Sequence, residues 1–262
     1  MSLLRPLVCV WLSLGLVLGA FSAARADEPA GSSSTKRLLL LGQSPDGHPA
    51  GTHEYLPGMK QIQKLLKDVP GLEVEIVNAD EPWTEGPEKL AKADGVVLFL
   101  SQGAAWLNKN AERRKAFEAL AARGGAVSVL HWGMGTKDAE NIAPFTAIFG
   151  ACHGGPDRKY KFLETDVAVA DHAIAQGIKD FRLNEEFYYA LKTAKNADDL
   201  QPVLRAQIDG NWEMVAWAWQ RPDGGRAFGF TGLHFDKNWE RPDYQRLVRR
   251  GVLWTLDKLP KD

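Results

Sequence analysis

The 262-residue sequence predicts an α/β protein: a three-layer α/β/α sandwich, flavodoxin-like, with a mostly parallel sheet and an antiparallel extension in its second half. Three observations predict it. Short apolar runs alternate with amphipathic stretches through the first half. Those runs are apolar at successive positions, as strands covered on both faces require. The second half changes to β segments separated by short glycine-containing turns.

The chain opens with MSLLR, an apolar run PLVCVWLSLGLVLGAFS and the small-residue site Ala24-Arg25-Ala26, in the order of a secretory signal peptide cleaved near Ala26. Ser13, Gly15 and Gly19 interrupt the run, which is short for a bilayer span. Residues 1–26 are therefore read as a signal peptide, and the protein as exported, periplasmic or extracellular, with no membrane attachment after cleavage. DEPAGSSST at 27–35 is small and polar and reads as a flexible tether. A single domain then spans 36–262.

Four strands are expected in the first half, at Arg37–Gly42, Leu72–Asn78, Gly95–Leu100 and Ala126–His131. Helices are expected at Gly58–Asp68, Glu88–Ala93 and Asn110–Arg123, the last stopped by Gly124-Gly125. Further β segments follow at Lys161–Ala170, Val203–Ile208, Glu213–Trp219 and Arg226–Thr231. A closing helix over Arg241–Leu256 places Tyr244, Leu247, Val248 and Gly251 on one face.

Charge excludes one class of partner. The whole chain holds 32 basic and 33 acidic side chains, and loss of Arg5 and Arg25 with the leader leaves about three excess negative charges with no basic block. Nucleic acid is thus not expected to bind. Cys152 would be the one cysteine left after processing, so no intramolecular disulfide is expected and the core must supply the stability.

In an open α/β sheet, ligands bind beyond the carboxyl ends of the strands, where loops diverge. His48 and His53 follow the first strand, Trp106 the third, His131-Trp132 the fourth, and His234 and Trp239 follow the strand at Arg226–Thr231. Imidazoles at such places can bind a divalent metal or move protons near neutral pH, although no H-E-x-x-H or C-x-x-C spacing is present. Asn184-Glu185-Glu186-Phe187-Tyr188-Tyr189 sets adjacent carboxylates among aromatics. Only one of the two can point inward on a strand, and partial burial would make it a general acid or base; the alternative is an exposed pair on an edge. Loop tryptophans Trp106, Trp132 and Trp239 could stack on a sugar ring or pack in the core. No G-x-S-x-G elbow is present, and Cys152, following a helix in FGACHGG, reads as a buried small hydrophobe rather than a nucleophile.

Taken in order, His53-Glu54, GGAVSVLHWG, FGACHGG with KYKFLE, DHAIAQGI, NEEFYY, and GRAFGFTGLHFDKNW leading into RLVRRGVLW resemble the trehalose-utilisation (ThuA-like) family over nearly the whole mature chain. The resemblance implies a class I glutamine amidotransferase-like fold without the cysteine elbow, His131 standing in that place. The family's Asp-Glu-x-Tyr motif is matched by Glu185-Glu186-Phe187-Tyr188, with Glu replacing the Asp. Its Gly-His pair appears as Gly232-Leu233-His234, with a leucine between. The resemblance also implies disaccharide catabolism, including sugars oxidised to 3-keto forms, whose carbonyl acidifies the neighbouring C2 proton.

The resulting expectation is an enzyme acting on a sugar or 3-keto sugar by His/Glu acid-base chemistry, a lyase, isomerase or hydrolase rather than a cysteine-dependent amidotransferase. Catalytic candidates are His131, Glu186 and His234, with Glu186 as base. Sugar-binding candidates are Trp132, Tyr188 and Trp239, and metal-ligand candidates are His53, His131 and His234, for a divalent ion such as zinc. No nucleotide is expected, and a homo-oligomer is compatible with the sequence. The alternative function is a non-catalytic carbohydrate-binding or complex-forming module.

Overall fold

The computed structural model describes residues 35–195 and 197–260. The expected signal peptide at 1–26 and the tether up to Ser34 lie outside the described residues. In chain order the elements are β1 (Lys36–Gly42), α1 (Tyr55–Leu66), β2 (Leu72–Asn78), α2 (Gly86–Ala91), β3 (Gly95–Leu98), α3 (Gly103–Lys109), α4 (Ala111–Ala122) and β4 (Ala126–Leu130). Then come β5 (Gly135–Thr136), α5 (Ile142–Phe149), β6 (Ala151–Gly154), β7 (Lys159–Val169), β8 (Phe181–Tyr189), β9 (Lys192–Thr193), β10 (Leu200–Ile208), β11 (Asn211–Gln220), β12 (Arg226–Phe230) and α6 (Pro242–Thr255).

The main sheet has nine strands in the order β2-β1-β3-β4-β12-β11-β10-β7-β8. From β2 to β12 all neighbours are parallel. From β12 to β8 all are antiparallel. The antiparallel extension thus begins after β12, which joins the parallel half beside β4. β5, β6 and β9 form a small second sheet.

The apolar runs explain the layers. Successive residues of a strand point to opposite faces, so Leu38 and Leu40 of β1 enter one core with Met59, Ile62 and Leu66 of α1 and Leu247, Val248 and Val252 of α6. Leu39 and Leu41 enter the other, with Leu90 of α2, Leu107 of α3, Phe117 and Leu120 of α4 and Phe145 of α5. Each fully buried leucine contributes about 1.5–3 kcal/mol, so a one-residue slip of β1 would exchange the contents of two cores at once.

Helix ends follow local chemistry. Asn110 caps α4 by accepting from the amides of Glu112 and Arg113, each at 2.9 Å. α1 begins three residues before the expected Gly58, since Pro57 falls in its first turn, where a missing N–H costs nothing. α3 has no counterpart among the expected helices: its seven residues, GAAWLNK, are too few to display a helical period.

Sheet order alone puts four strands between β4 and β8, yet Glu186 of β8 lies 3.4 Å from His131 just past β4. The sheet must therefore curl. β10 pairs with β7 only at Val167–Val169, whereas β8 pairs with β7 from Lys159 to Val167. The β7–β8 hairpin runs on beyond its neighbour and folds back over the carboxyl ends of the parallel strands.

Candidate functional site

Three strand-end loops and the hairpin meet at one place. In the register of β4 with β12, Leu130 lies opposite Phe230, so His131 and Thr231 leave the sheet side by side. The His131 Nδ1 lies 2.7 Å from the Thr231 carbonyl oxygen. A carbonyl only accepts, so this nitrogen carries the proton and Nε2 presents its lone pair. His53, from the loop after β1, is fixed the same way. Tyr55 Oη donates to Asp46 (2.6 Å), leaving its oxygen to accept from His53 Nδ1 (2.9 Å), and Asp46 Oδ2 is a second acceptor at 3.3 Å. His53 Nε2 is thereby also a lone pair.

These two lone pairs face each other at 3.0 Å, and His234 Nδ1 lies 3.0 Å from the same His53 nitrogen. Glu186 Oε2 completes the group, 2.9 Å from His234 Nδ1 and 3.4 Å from His131 Nε2. All four side chains are buried. Facing lone pairs repel unless a cation lies between them, and an added proton is disfavoured: burial, then the neighbouring His131, lowers the His53 pKa to about 3. The donor set therefore fits a divalent metal, which needs neutral imidazoles and an ionised carboxylate. Zinc–ligand bonds of about 2.0–2.1 Å in a tetrahedron put neighbouring ligand atoms about 3.3 Å apart, close to the spacings here.

The backbone is strained at these positions. His53 (φ 53°), Gln102 (φ 45°), His131 (φ 47°) and Leu233 (φ 88°) all have positive φ, each in a loop leaving a parallel strand. Such conformations cost about 1–3 kcal/mol each and persist only where surrounding contacts enforce them. One such contact is Gly103 at the start of α3, where a Cβ would collide with the carbonyl oxygen of Gly133 in the turn carrying His131.

Glu185 and Glu186 are neither an exposed pair on an edge nor a pair with only one member pointing inward. Both are buried, on opposite faces of β8, because the curled hairpin is covered on both sides. Glu185 accepts from the amides of Leu233 (3.1 Å) and His234 (3.2 Å), from Asn238 Nδ2 (2.9 Å) and from Tyr244 Oη (2.7 Å). It anchors the loop that delivers His234. Burial alone would raise the Glu186 pKa, but its close contacts with the His131 and His234 rings outweigh it and hold this carboxyl well below its ordinary range. That suits an anionic ligand better than a general base.

Above the cluster lies a cavity of about 390 Å³ bordered by Asp46, His48, Trp132, His153, Tyr188 and Phe162, among others. Tyr188 stacks on His131 (4.6 Å between centroids) and on His153 (3.9 Å), and its hydroxyl is 3.1 Å from His131 Nε2. Tyr160 and Phe162 stand at the rim, 54% and 52% exposed. His48 stacks on His53 at 3.6 Å, and its Nδ1 lies 2.6 Å from Asp46 Oδ1. Two expected positions are elsewhere. Trp239 is buried in the core between Gly58 and Tyr244, because the 3-10 turn after His234 tucks it under α1. Trp106 lies on α3 rather than in a loop, its Nε1 donating to the Ala79 carbonyl (3.1 Å). Cys152 is buried with its thiol donating to the Met134 carbonyl, and burial pushes its pKa up to about 12.

The family model for ThuA, trehalose utilisation, matches residues 46–255, a span that holds every residue of the cluster. The chain belongs to the ThuA family. That description points to a carbohydrate-related role. A crystal structure of a ThuA-like protein from Bacteroides uniformis is similar in fold, with a TM-score of 0.65 at 14% identity over 88% of this chain and 95% of that one. Weaker likeness extends to a GMP synthase component from Thermoplasma acidophilum (TM-score 0.45, 13% identity, 84% of this chain and 94% of that one). It extends also to the glutaminase domain of Trypanosoma brucei CTPS with bound acivicin (0.46, 12%, 87% and 96%). No curated protein matches the chain. Within the ThuA fold of this chain, His131 occupies the turn after β4 and Glu186 and Tyr188 project from β8 toward it. Sequence reasoning did not single out Asp46, Tyr55 or His153. The Asp46-x-His48 spacing was a usable signal; for Tyr55 and His153 there was none, since their roles arise from ring stacking and a contact across the loop.

Proposed function

We propose that this ThuA-family chain is an exported, metal-assisted enzyme that removes a proton next to the carbonyl of a sugar or 3-keto sugar. The observation that carries the reading is the meeting of His53 Nε2, His131 Nε2, His234 Nδ1 and Glu186 Oε2, from separate segments, beneath one cavity. These four would hold the ion, and a divalent metal such as zinc supplies Lewis-acid polarisation of a carbonyl.

The chain's own groups do the rest. Trp132, Tyr160 and Phe162 offer apolar ring faces to a sugar. Asp46 holds the proton of His48 on Nδ1, leaving Nε2 free to accept the C2 proton of the substrate. The C–H electron pair then moves into the bond between C2 and the carbonyl carbon, and charge develops on the carbonyl oxygen. Tyr188, whose pKa burial raises well above the ordinary value, stays protonated and can donate to that oxygen.

The test joins metal analysis to proton exchange at C2 of a 3-keto glucoside in D2O, followed by NMR. The wild type is expected to hold one divalent ion per chain and to exchange the proton. His131→Ala loses both; His48→Gln keeps the metal and loses exchange by about 100-fold or more. Unchanged metal content in His131→Ala and His53→Ala would remove the metal. The exposed aromatic rim favours one second reading, a sugar-binding module without catalysis. It requires sugar affinity that survives His131→Ala but falls in Trp132→Ala, with no exchange in the wild type.

A further inference from the structure

The charges lining the cavity are unevenly paired. Its carboxylates are committed: Asp46 to Tyr55, His48 and His53, and Glu186 to His131 and His234. Its two cations, Lys137 and Arg158, form no ion pair among the described residues. Arg158 is nevertheless held in place. Its guanidinium donates to the Gly155 carbonyl at 3.2 Å and lies 5.9 Å from the centre of the Trp132 ring, so it is oriented without any acid to neutralise it. A partly buried, oriented guanidinium with open donors is the arrangement that recognises a planar or tetrahedral anion.

A second observation marks the same end of the cavity. His153 is 2% exposed, and among the described residues neither of its ring nitrogens has a hydrogen-bond partner; Nδ1 is fully buried. Burial of a polar group without a partner is disfavoured, and Nε2 is the nitrogen left to meet a ligand. Burial, with Arg158 nearby, lowers the pKa of this ring to about 3, so near neutral pH it is an uncharged donor or acceptor. The stack His153–Tyr188–His131, with ring centroids 3.9 Å and 4.6 Å apart, sets this end of the cavity two ring steps from the histidine cluster.

We propose that the sugar accepted here carries an anionic substituent, a carboxylate or a phosphate ester, held by Arg158 and Lys137 with His153 completing its hydrogen bonds. The inference rests on the sugar reading above and narrows it to acidic sugars. It places the charged group at the Arg158 end and the reacting carbon at the His131 end.

Calorimetric titration of the zinc-loaded protein with methyl glucoside, methyl glucuronide and glucose 6-phosphate tests it. The wild type is expected to bind one of the two anionic sugars about tenfold or more tighter than methyl glucoside, as charge-assisted hydrogen bonds require. Which of the two is preferred tells carboxylate from phosphate. In Arg158→Gln/Lys137→Ala the preference disappears while zinc content and affinity for methyl glucoside hold. Lys137→Ala alone, at an exposed position, reduces the preference in a background that folds as the wild type does. Equal affinity of the wild type for all three sugars would overturn the proposal and leave the sugar reading standing. A preference that survives in the double variant would overturn it too, since the anion would then sit elsewhere. Binding of none of the three would remove both readings together.

Discussion

Adjacent glutamates on β8 divide the work of the site. Glu186 faces the histidines, while Glu185 turns the other way and satisfies five donors, three of them the backbone amides of Glu186, Leu233 and His234. Removing it leaves buried donors unpartnered, at about 1–3 kcal/mol each. Glu185→Ala is therefore expected to lower unfolding free energy by about 3 kcal/mol or more in urea titration and to weaken zinc binding, although Glu185 touches no proposed ligand atom. His153 gives a pH signature. Its folded-state pKa, lowered by burial to about 3, keeps the ring neutral in the fold while the unfolded chain protonates near 6.5. The stability this ring contributes is present above about pH 6.5 and is lost as pH falls toward 3, at up to about 1.4 kcal/mol per pH unit. Urea midpoints should drop between about pH 6.5 and 5, before carboxylates titrate, and His153→Gln should lessen that drop, with His53, held neutral by burial in the same way, supplying the remainder. An equal slope in the variant would assign the acid sensitivity to other groups.

Elements were legible where their periodicity was long enough. The amphipathic spacing of α1, α4 and α6 and the apolar runs of β1 to β4 carry their own evidence, and the ends differ by a few residues only. α3 and the small β5–β6–β9 sheet are too short to announce themselves. The strand register then explains how loops become a site: β4 and β12 end level with each other, which sets His131 beside Thr231. α3 buttresses this turn at Gly103. A methyl group there would press on Gly133, and overpacking of this kind costs about 1–3 kcal/mol. Gly103→Ala is expected to lower the melting temperature and, by shifting His131, to reduce zinc affinity; an unchanged affinity would show that the turn is held by β4 and β12 without α3.

Across the whole molecule, the proposed ligands come from residues 53, 131, 186 and 234, so a bound ion would tie the parallel half of the sheet to the returning hairpin. Anything that binds only the folded state stabilises it by mass action, about 2.7 kcal/mol at a hundredfold excess over its Kd. Scanning calorimetry should show a melting temperature that rises with added zinc and falls with chelator, with no response in His131→Ala.

From composition and pattern alone, the chain determined its layers: two apolar faces per strand demand helices on both sides, and the alternation of elements demands a largely parallel sheet. His53, His131 and His234 could be placed at strand ends for the same reason. Their close meeting, the burial of both glutamates and the withdrawal of Trp239 into the core were decided only by tertiary structure. The curl of the antiparallel hairpin brings β8 over strands that the pairing order keeps far away, and a curl is a property of the whole sheet that no local spacing encodes.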